Sequence, residues 1–276
     1  SGATFVGFPG IVYNAGLPGI WSVFLYPIGI YVGVLLCLRL VSNSGNQFGS
    51  RSIPEYLGIR YQSPWIRILV SIFSLSLFFY LAGQLVSGIV MFEIMLGVPK
   101  MAALIITSVV LLIYVVLGGA HADILTDGVQ GFIMVGVGVL VAVLFCLGYG
   151  IEGGFDGMIS ALGSQDENLV GWLNVTDVLY HSWWAVFAVF LAHVPLGMLP
   201  HIGNKLWALK EPTQRMQFIR LAFVFALILA MLGFGGIMAR VILGEGIDSN
   251  QALALLFIDL FPSWFAALLG VGILAA

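Results

Sequence analysis

Charge is what this sequence has least of. Of its 276 residues only 8% are Asp, Glu, Lys or Arg, against 61% hydrophobic, and the mean hydropathy is +1.08. A soluble domain carries about 25% charge, so the composition excludes a soluble fold and implies an integral membrane protein. Cysteine is almost missing: Cys37 and Cys146 stand alone inside apolar runs, too isolated for a metal motif, and read as packing thiols. No basic run is present and the net charge is only -3, so nothing points to nucleic acid. There is no nucleophile paired with a base, no metal-ligand cluster and no phosphate-binding loop, which leaves membrane enzyme chemistry unsupported.

What the chain does have is long apolar runs. Stretches of about 20 apolar residues recur along its length, which predicts an all-α helical bundle, because barrel strands alternate and cross in about 10 residues. The chain opens inside one such run and stops inside another, LLGVGILAA, with no starting Met, no positively charged leader and no polar tail. These features predict an internal stretch of a longer protein, truncated at both ends.

The first run, Ser1 to Gly19, is apolar enough for a bilayer yet a poor helix. Glycines stand at 2, 7, 10, 16 and 19 and prolines at 9 and 18. In a helix interior Gly costs roughly 1 kcal/mol and Pro roughly 3 kcal/mol relative to Ala, and in lipid a freed backbone group needs a partner in the protein or a watery cavity. Interrupted segments of this kind form the binding sites of secondary transporters. A glycine-rich packing helix fits the same residues. A second interruption falls in the run Val178 to Leu199, where Pro195 removes the hydrogen bond to the Leu191 carbonyl, two residues after His193.

Between and beyond these lie Ile20 to Val41, carrying Pro27; Ile68 to Leu96, with Gly83 and Ser87 as a small-residue packing pair; and Met101 to Leu117. A short turn through GGAHADILTDG then leads to Val129 to Tyr149. Phe218 to Leu243 follows, with Gly233, Gly235 and Gly236 as close-packing points. Asn250 to Leu260 reads as a short amphipathic surface helix ended by Pro262, and a last run begins at Ser263. One transmembrane domain of about eight spans, the first and last partial, is expected.

Basic residues set the orientation. Arg39, Arg51, Arg60, Arg67, Lys205, Lys210, Arg215 and Arg220 flank the loops after the second and sixth runs, against only Lys100 and Arg240 on the other side. Those two loops are therefore expected in the cytoplasm, in a multi-pass protein of the cytoplasmic membrane. The acidic stretch Gly150 to Asp177 is then external, and its Asn174-Val175-Thr176 triplet is a weak glycosylation signal.

Charged groups at membrane depth are costly and usually functional. Asp127, in ILTDGVQG near a cytoplasmic mouth, can stage a hard cation such as sodium; as a residue of a helix's first turn it can equally cap open amides. His193 reads either as a hydrogen-bonded core residue or as a substrate handle. Trp183 and Trp184 fit an interface belt better than a site.

The residues resemble one family, the sodium:solute symporters. The likeness is carried by GFPGIVYNAG in the first run, IPEYLGIRYQS in the first cytoplasmic loop, GGAHADILTDGVQGFIM, LPHIGNKLWALK and the closing GILAA. That resemblance implies the inverted-repeat, leucine-transporter-type bundle of five plus five helices, whose first and sixth core helices are unwound. Ser1 to Gly19 and Ala192 to Gly197 would be those helices. It also implies a sodium site bordered by Ser1 and Gly2, with Ala276 as a carbonyl donor and Asp127 as the carboxylate linked to sodium coupling. Sugar-transporting members place a glutamate where Val23 stands here, which argues against a sugar. Thr4, Ser22 and Tyr26 remain as polar solute contacts, joined by His193 and Pro195 of the second interruption. The implied activity is alternating-access symport of sodium with a small carboxylate-bearing solute, such as an amino acid, pantothenate or a monocarboxylate. A transport-silent sensor or a channel-like protein of the same fold is the alternative.

Overall fold

The computed structural model describes the backbone of residues 2–38, 48–50, 52–200, 202–203, 206, 209 and 211–274, with the side chains of 3, 114–115, 119–124, 126, 212 and 271–274 excepted. All regular structure among the described residues is helical. In chain order the α-helices are α1 Phe8–Ala15, α2 Ile20–Cys37, α3 Ile53–Arg60, α4 Pro64–Ser74, α5 Leu77–Leu96 and α6 Lys100–Leu147. They continue as α7 Gly154–Gln165, α8 Trp183–His193, α9 Pro212–Ala230, α10 Phe234–Leu243, α11 Ala252–Leu260 and α12 Ser263–Leu274. Among the described residues five stretches are long and apolar enough to cross a bilayer: Leu17–Cys37, Pro64–Leu96, Lys100–Gly118, Asp127–Leu147 and Thr213–Leu243. Trp183–Met198 and Ser249–Leu260 are shorter apolar helices. Large apolar side chains on these helices, such as Phe73, Phe79 and Leu117, are exposed, as lipid-facing residues are.

The chain forms two compact units, one of Ser1–Val23, Leu81–Trp183 and Ile228–Ala276, the other of Phe24–Tyr80 and Trp184–Leu227. In the first unit α1 packs on α10, and α10 on α11, around a core that includes Phe5, Val12, Tyr13, Val141, Leu232, Ile237 and Phe257. The glycines of α10 make this possible. A Cβ on Gly236 would collide with the Pro9 carbonyl, and one on Gly235 would lie 2.5 Å from Leu253, so the expected close packing is present.

Two expectations about this unit are overturned. The separate spans joined by a turn through GGAHADILTDG are one continuous helix, α6. Its sequence holds no proline, and glycine tolerates the helical backbone, so nothing in it forces a break. At 1.5 Å per residue α6 is about 70 Å long, more than twice the hydrocarbon thickness of about 30 Å. Its two apolar stretches, Lys100–Gly118 and Asp127–Leu147, are each of spanning length. Second, α11 does not lie on the surface: Ala252, Leu253, Ala254, Leu256 and Phe257 are buried. Its sequence, ALALLFIDL, is apolar on almost every face, and a helix of that kind belongs inside.

In the second unit α3 and α4 form a helical hairpin with matching starts. Ser52 accepts from the Glu55 amide and Ser63 from the Ile66 amide, each at 3.4 Å, with a proline in the first turn. The expected run Ile68 to Leu96 is divided at Leu75 and Ser76, where amides bond three residues back at 3.0 Å before α5 begins. Val34, Cys37, Leu206 and Ile219 make a small core, and the Tyr31 hydroxyl donates to the Ile219 carbonyl.

Candidate functional site

Both interrupted runs are interrupted in the structure. The first begins as a wide π-turn over Ala3–Gly7, continues as α1, stops at Gly16 and resumes through a 3-10 turn at Leu17–Gly19 into α2. Gly16 has φ +74°, which a side chain rarely tolerates, and a Cβ there would lie 2.5 Å from the Leu169 carbonyl oxygen.

The backbone groups released by the break find partners, as burial in an apolar setting requires. The Gly19 amide donates to the Gly16 carbonyl at 3.0 Å, and Asn174 Nδ2 donates to the Ala15 carbonyl at 3.2 Å. Asn174 is only 3% exposed, and its Oδ1 accepts from the Thr176 amide and hydroxyl at 3.1 and 2.7 Å. The Asn-Val-Thr triplet is thus a clip on the broken segment, not an open glycan acceptor. Ser22 donates to the Gly19 carbonyl at 2.6 Å and hydrogen-bonds Tyr180. Burial pushes the Tyr180 phenol up to about 12, Ser22 pulls it down and the nearby Asp177 carboxylate adds to the rise.

The second break is resolved by narrowing. α8 ends at His193, and Pro195 opens a 3-10 turn through Met198. The Leu191 carbonyl, which Pro195 cannot reach with a donor, accepts instead from the Val194 amide at 3.2 Å, and the Gly197 amide donates to Val194 at 3.1 Å. Three glycines let α2 lie against this turn. A Cβ on Gly29 would lie 2.8 Å from the His193 Cβ, one on Gly33 would strike the Val194 carbonyl, and one on Gly197 the Ile30 carbonyl. His193 Nδ1 bonds the Val189 carbonyl at 2.6 Å. A carbonyl only accepts, so Nδ1 carries the hydrogen, and when the ring is neutral Nε2 is left as an acceptor. The Tyr26 ring stands edge-on to this imidazole, with centroids 5.1 Å apart.

The candidate residues divide between the units. Gly2, Thr4, Ser22 and Asp127 belong to the first, and Tyr26, His193 and Pro195 to the second; Ser1 and Ala276 lie outside the described residues. Thr4 is buried in the π-turn. The Gly2 amide donates to Gln84 Oε1 at 2.6 Å. Asp127 is exposed and makes no ion pair among the described residues. It sits in the interior of α6, where amides are paired within the helix, so the capping explanation for it fails.

Sequence reasoning passed over Gly29 and Gly33, although their four-residue spacing is the signal of close helix approach. It also passed over Gln84, a lone carboxamide in the apolar run LFFYLAGQLVSGIVM.

A chain whose described residues form only helices, with five bilayer-length apolar stretches among them and two internally broken runs, is a multi-pass membrane protein. It belongs to the sodium:solute symporter family, whose model matches residues 1–276. The sodium/pantothenate symporter of Escherichia coli is 25% identical over 239 residues, covering 85% of this chain and 47% of the relative. A high-affinity proline transporter of Bacillus subtilis is 27% identical over 245 residues, covering 86% and 50%. A monocarboxylic acid transporter of Corynebacterium glutamicum is 24% identical over 296 residues, covering 98% and 52%. The chain spans about half the length of the curated relatives it matches. These relatives are transporters, not enzymes.

Proposed function

We propose that this chain is part of a sodium-coupled symporter that moves a small carboxylate-bearing solute across the cytoplasmic membrane by alternating access, on the inverted-repeat fold of five plus five helices. The observation that carries the reading is the pair of breaks, at Gly16 and at Pro195, each in an apolar segment, the first with the Ala15 carbonyl held by the distant Asn174 and the second with the Leu191 carbonyl held locally by the Val194 amide. Such breaks are costly in lipid and are kept where unwound backbone serves an ion or solute.

Sodium is the co-transported substrate. By the family resemblance Ser1 and Gly2 stand at the edge of its site, Ala276 is its carbonyl donor, and Asp127 is the carboxylate that couples to it. Carbonyl and carboxylate oxygens suit a hard cation. Solute contacts are assigned to Thr4 and Ser22 in the first unit, and to Tyr26, His193 and the Pro195 turn in the second. His193 Nε2 accepts from an N–H or O–H of the solute while Nδ1 stays bound to Val189. Relatives that carry pantothenate, proline and monocarboxylic acids support a carboxylate-bearing solute.

The test is uptake by proteoliposomes of the complete protein, screened with radiolabelled proline, pantothenate and short monocarboxylates under separately imposed sodium and proton gradients. Accumulation driven by sodium alone supports the reading. Binding without accumulation makes the protein a sensor, and accumulation driven by protons alone removes sodium from the mechanism.

A further inference from the structure

Gly16 has the form of a hinge. A single glycine at φ +74° and ψ −148° separates α1 from the turn that enters α2, and a residue of this kind can absorb a change of backbone angle. The strap of residues 166–182 takes that freedom away, because it meets the broken run on both sides of the glycine. On the α1 side, Asn174 Nδ2 donates to the Ala15 carbonyl at 3.2 Å, and Leu169, buried in the same core as Val12 and Tyr13, fills the space a side chain at Gly16 would need. On the α2 side, Trp21 Nε1 donates to the Trp172 carbonyl at 3.0 Å, and its ring meets Trp183 edge-on with centroids 5.5 Å apart. Ser22 hydrogen-bonds Tyr180. A change of angle at Gly16 must break the contacts on one side or the other.

Asn174 pins the strap. Only 3% exposed, it is tied to the strap as firmly as to the run: its amide donates to the Tyr180 carbonyl at 3.1 Å, its carbonyl accepts from the Asp177 amide at 3.0 Å, and its Oδ1 accepts from Thr176. Asp177 Oδ1 closes the loop of residues 174–180 by accepting from the Leu179 and Tyr180 amides at 2.7 and 3.0 Å. The Asn174 carboxamide carries this closed loop to the end of α1 through Nδ2. Thr4 precedes α1 and Ser22 lies in the first turn of α2, so the angle at Gly16 sets their separation. Affinity for a small solute depends on contacts held in place before it arrives.

We propose that Asn174 is a positioning residue: its carboxamide pins the strap across the Gly16 break, so that α1 and the first turn of α2 move as one piece and Thr4 and Ser22 keep their spacing. Asn174 does not itself touch the solute. The effect on the solute rests on the reading that Thr4 and Ser22 contact it; the pinning of the break does not.

The experiment places nitroxide labels at Asn14→Cys on α1 and Val178→Cys on the strap, both exposed positions, in the purified complete protein with its native cysteines replaced by serine. Their distance is read by electron paramagnetic resonance in choline chloride and in sodium chloride, alongside uptake kinetics for whichever of proline, pantothenate and short monocarboxylates the protein accumulates. One narrow distance population, the same in both salts, is expected. Asn174→Asp keeps the size and Oδ1 but removes the Nδ2 donor; it should broaden the distribution and raise KM at least about fivefold, with kcat within about twofold. A distance that shifts between the salts overturns the proposal, because the hinge then operates, and so does an unchanged distribution in Asn174→Asp. A broadened distribution with KM unchanged rejects the positioning role. Should Asn174→Asp fail to fold, Thr176→Val, which removes only the hydroxyl bond that orients the carboxamide, decides: broadening with a raised KM supports the proposal, and neither change overturns it. Absence of uptake by the unmutated protein, by contrast, sinks the symport reading and leaves the distances to judge the pinning.

Discussion

The imidazole of His193 meets the phenol ring of Tyr26 edge-on, with centroids 5.1 Å apart and planes at 83°. The contact fixes the face of the ring, and the bond from Nδ1 to Val189 fixes its tautomer. In the functional reading both residues contact the solute, Tyr26 through the ring that also orients the imidazole and His193 through Nε2. His193→Ala should then raise the solute KM about tenfold, equivalent to about 1.4 kcal/mol. Tyr26→Phe, which keeps the ring, should change it by less than about threefold, or about 0.7 kcal/mol. Uptake kinetics at saturating sodium separate the two, and equal effects would remove His193 from the solute site.

Gly33 and Gly83 make a matched pair of helical glycines with opposite surroundings. A Cβ on Gly33 would strike the Val194 carbonyl, whereas none of the atoms described lies within 4 Å of one on Gly83. Gly33→Ala should destabilise by about 1–3 kcal/mol through overpacking against backbone. Gly83→Ala should be neutral or stabilising by up to about 1 kcal/mol through helix propensity. Melting of the detergent-solubilised protein measures both, and equal shifts would contradict the packing of α2 on the Pro195 turn.

The breaks were legible in the sequence because they are written in residues whose backbone chemistry is unambiguous: Gly16 at positive φ, and Pro195 without an amide. The packing role of Gly235 and Gly236 was legible for the same reason. Less could be read where the deciding partner is remote. A cap was one of two readings of Asp127 because GGAHADILTDG reads as a turn ahead of a helix start, but the helix runs through it. The burial of α11 was written in its nearly all-apolar sequence, ALALLFIDL; what the sequence hid was its partner, Gly235 of α10, against which Leu253 packs. The clip made by Asn174 on Ala15 and the bond from Gly2 to Gln84 span 159 and 82 residues, which no local pattern encodes.

Arg240 is buried at the end of α10, its guanidinium over the Tyr13 ring at 5.4 Å and its Nε donating to Gln165 Oε1 at 2.9 Å. Its ion-pair partner Glu245, at 3.4 Å, has a side chain 80% exposed. Losing the buried bonds should therefore matter more than losing the pair. Arg240→Met should cost about 2 kcal/mol, and Glu245→Gln less than about 1 kcal/mol. Thermal unfolding checks the order, and a larger effect at Glu245 would contradict it.

Asp127 tests the coupling carboxylate without disturbing a fold contact, since it is exposed and makes no ion pair among the described residues. Asp127→Asn in the complete protein should lower sodium-driven uptake at least about tenfold, a loss near 1.4 kcal/mol, with the melting temperature unchanged. Normal sodium dependence in that variant would reject the role.

The most direct measurement is solute affinity with and without sodium, paired with sodium affinity with and without solute, on the purified complete protein. Coupling is a free energy shared by two sites, so each ligand must tighten the other by the same factor, about 5- to 150-fold. The equality holds for any two linked ligands; the account predicts that the shared factor is well above one. A solute affinity indifferent to sodium would contradict it.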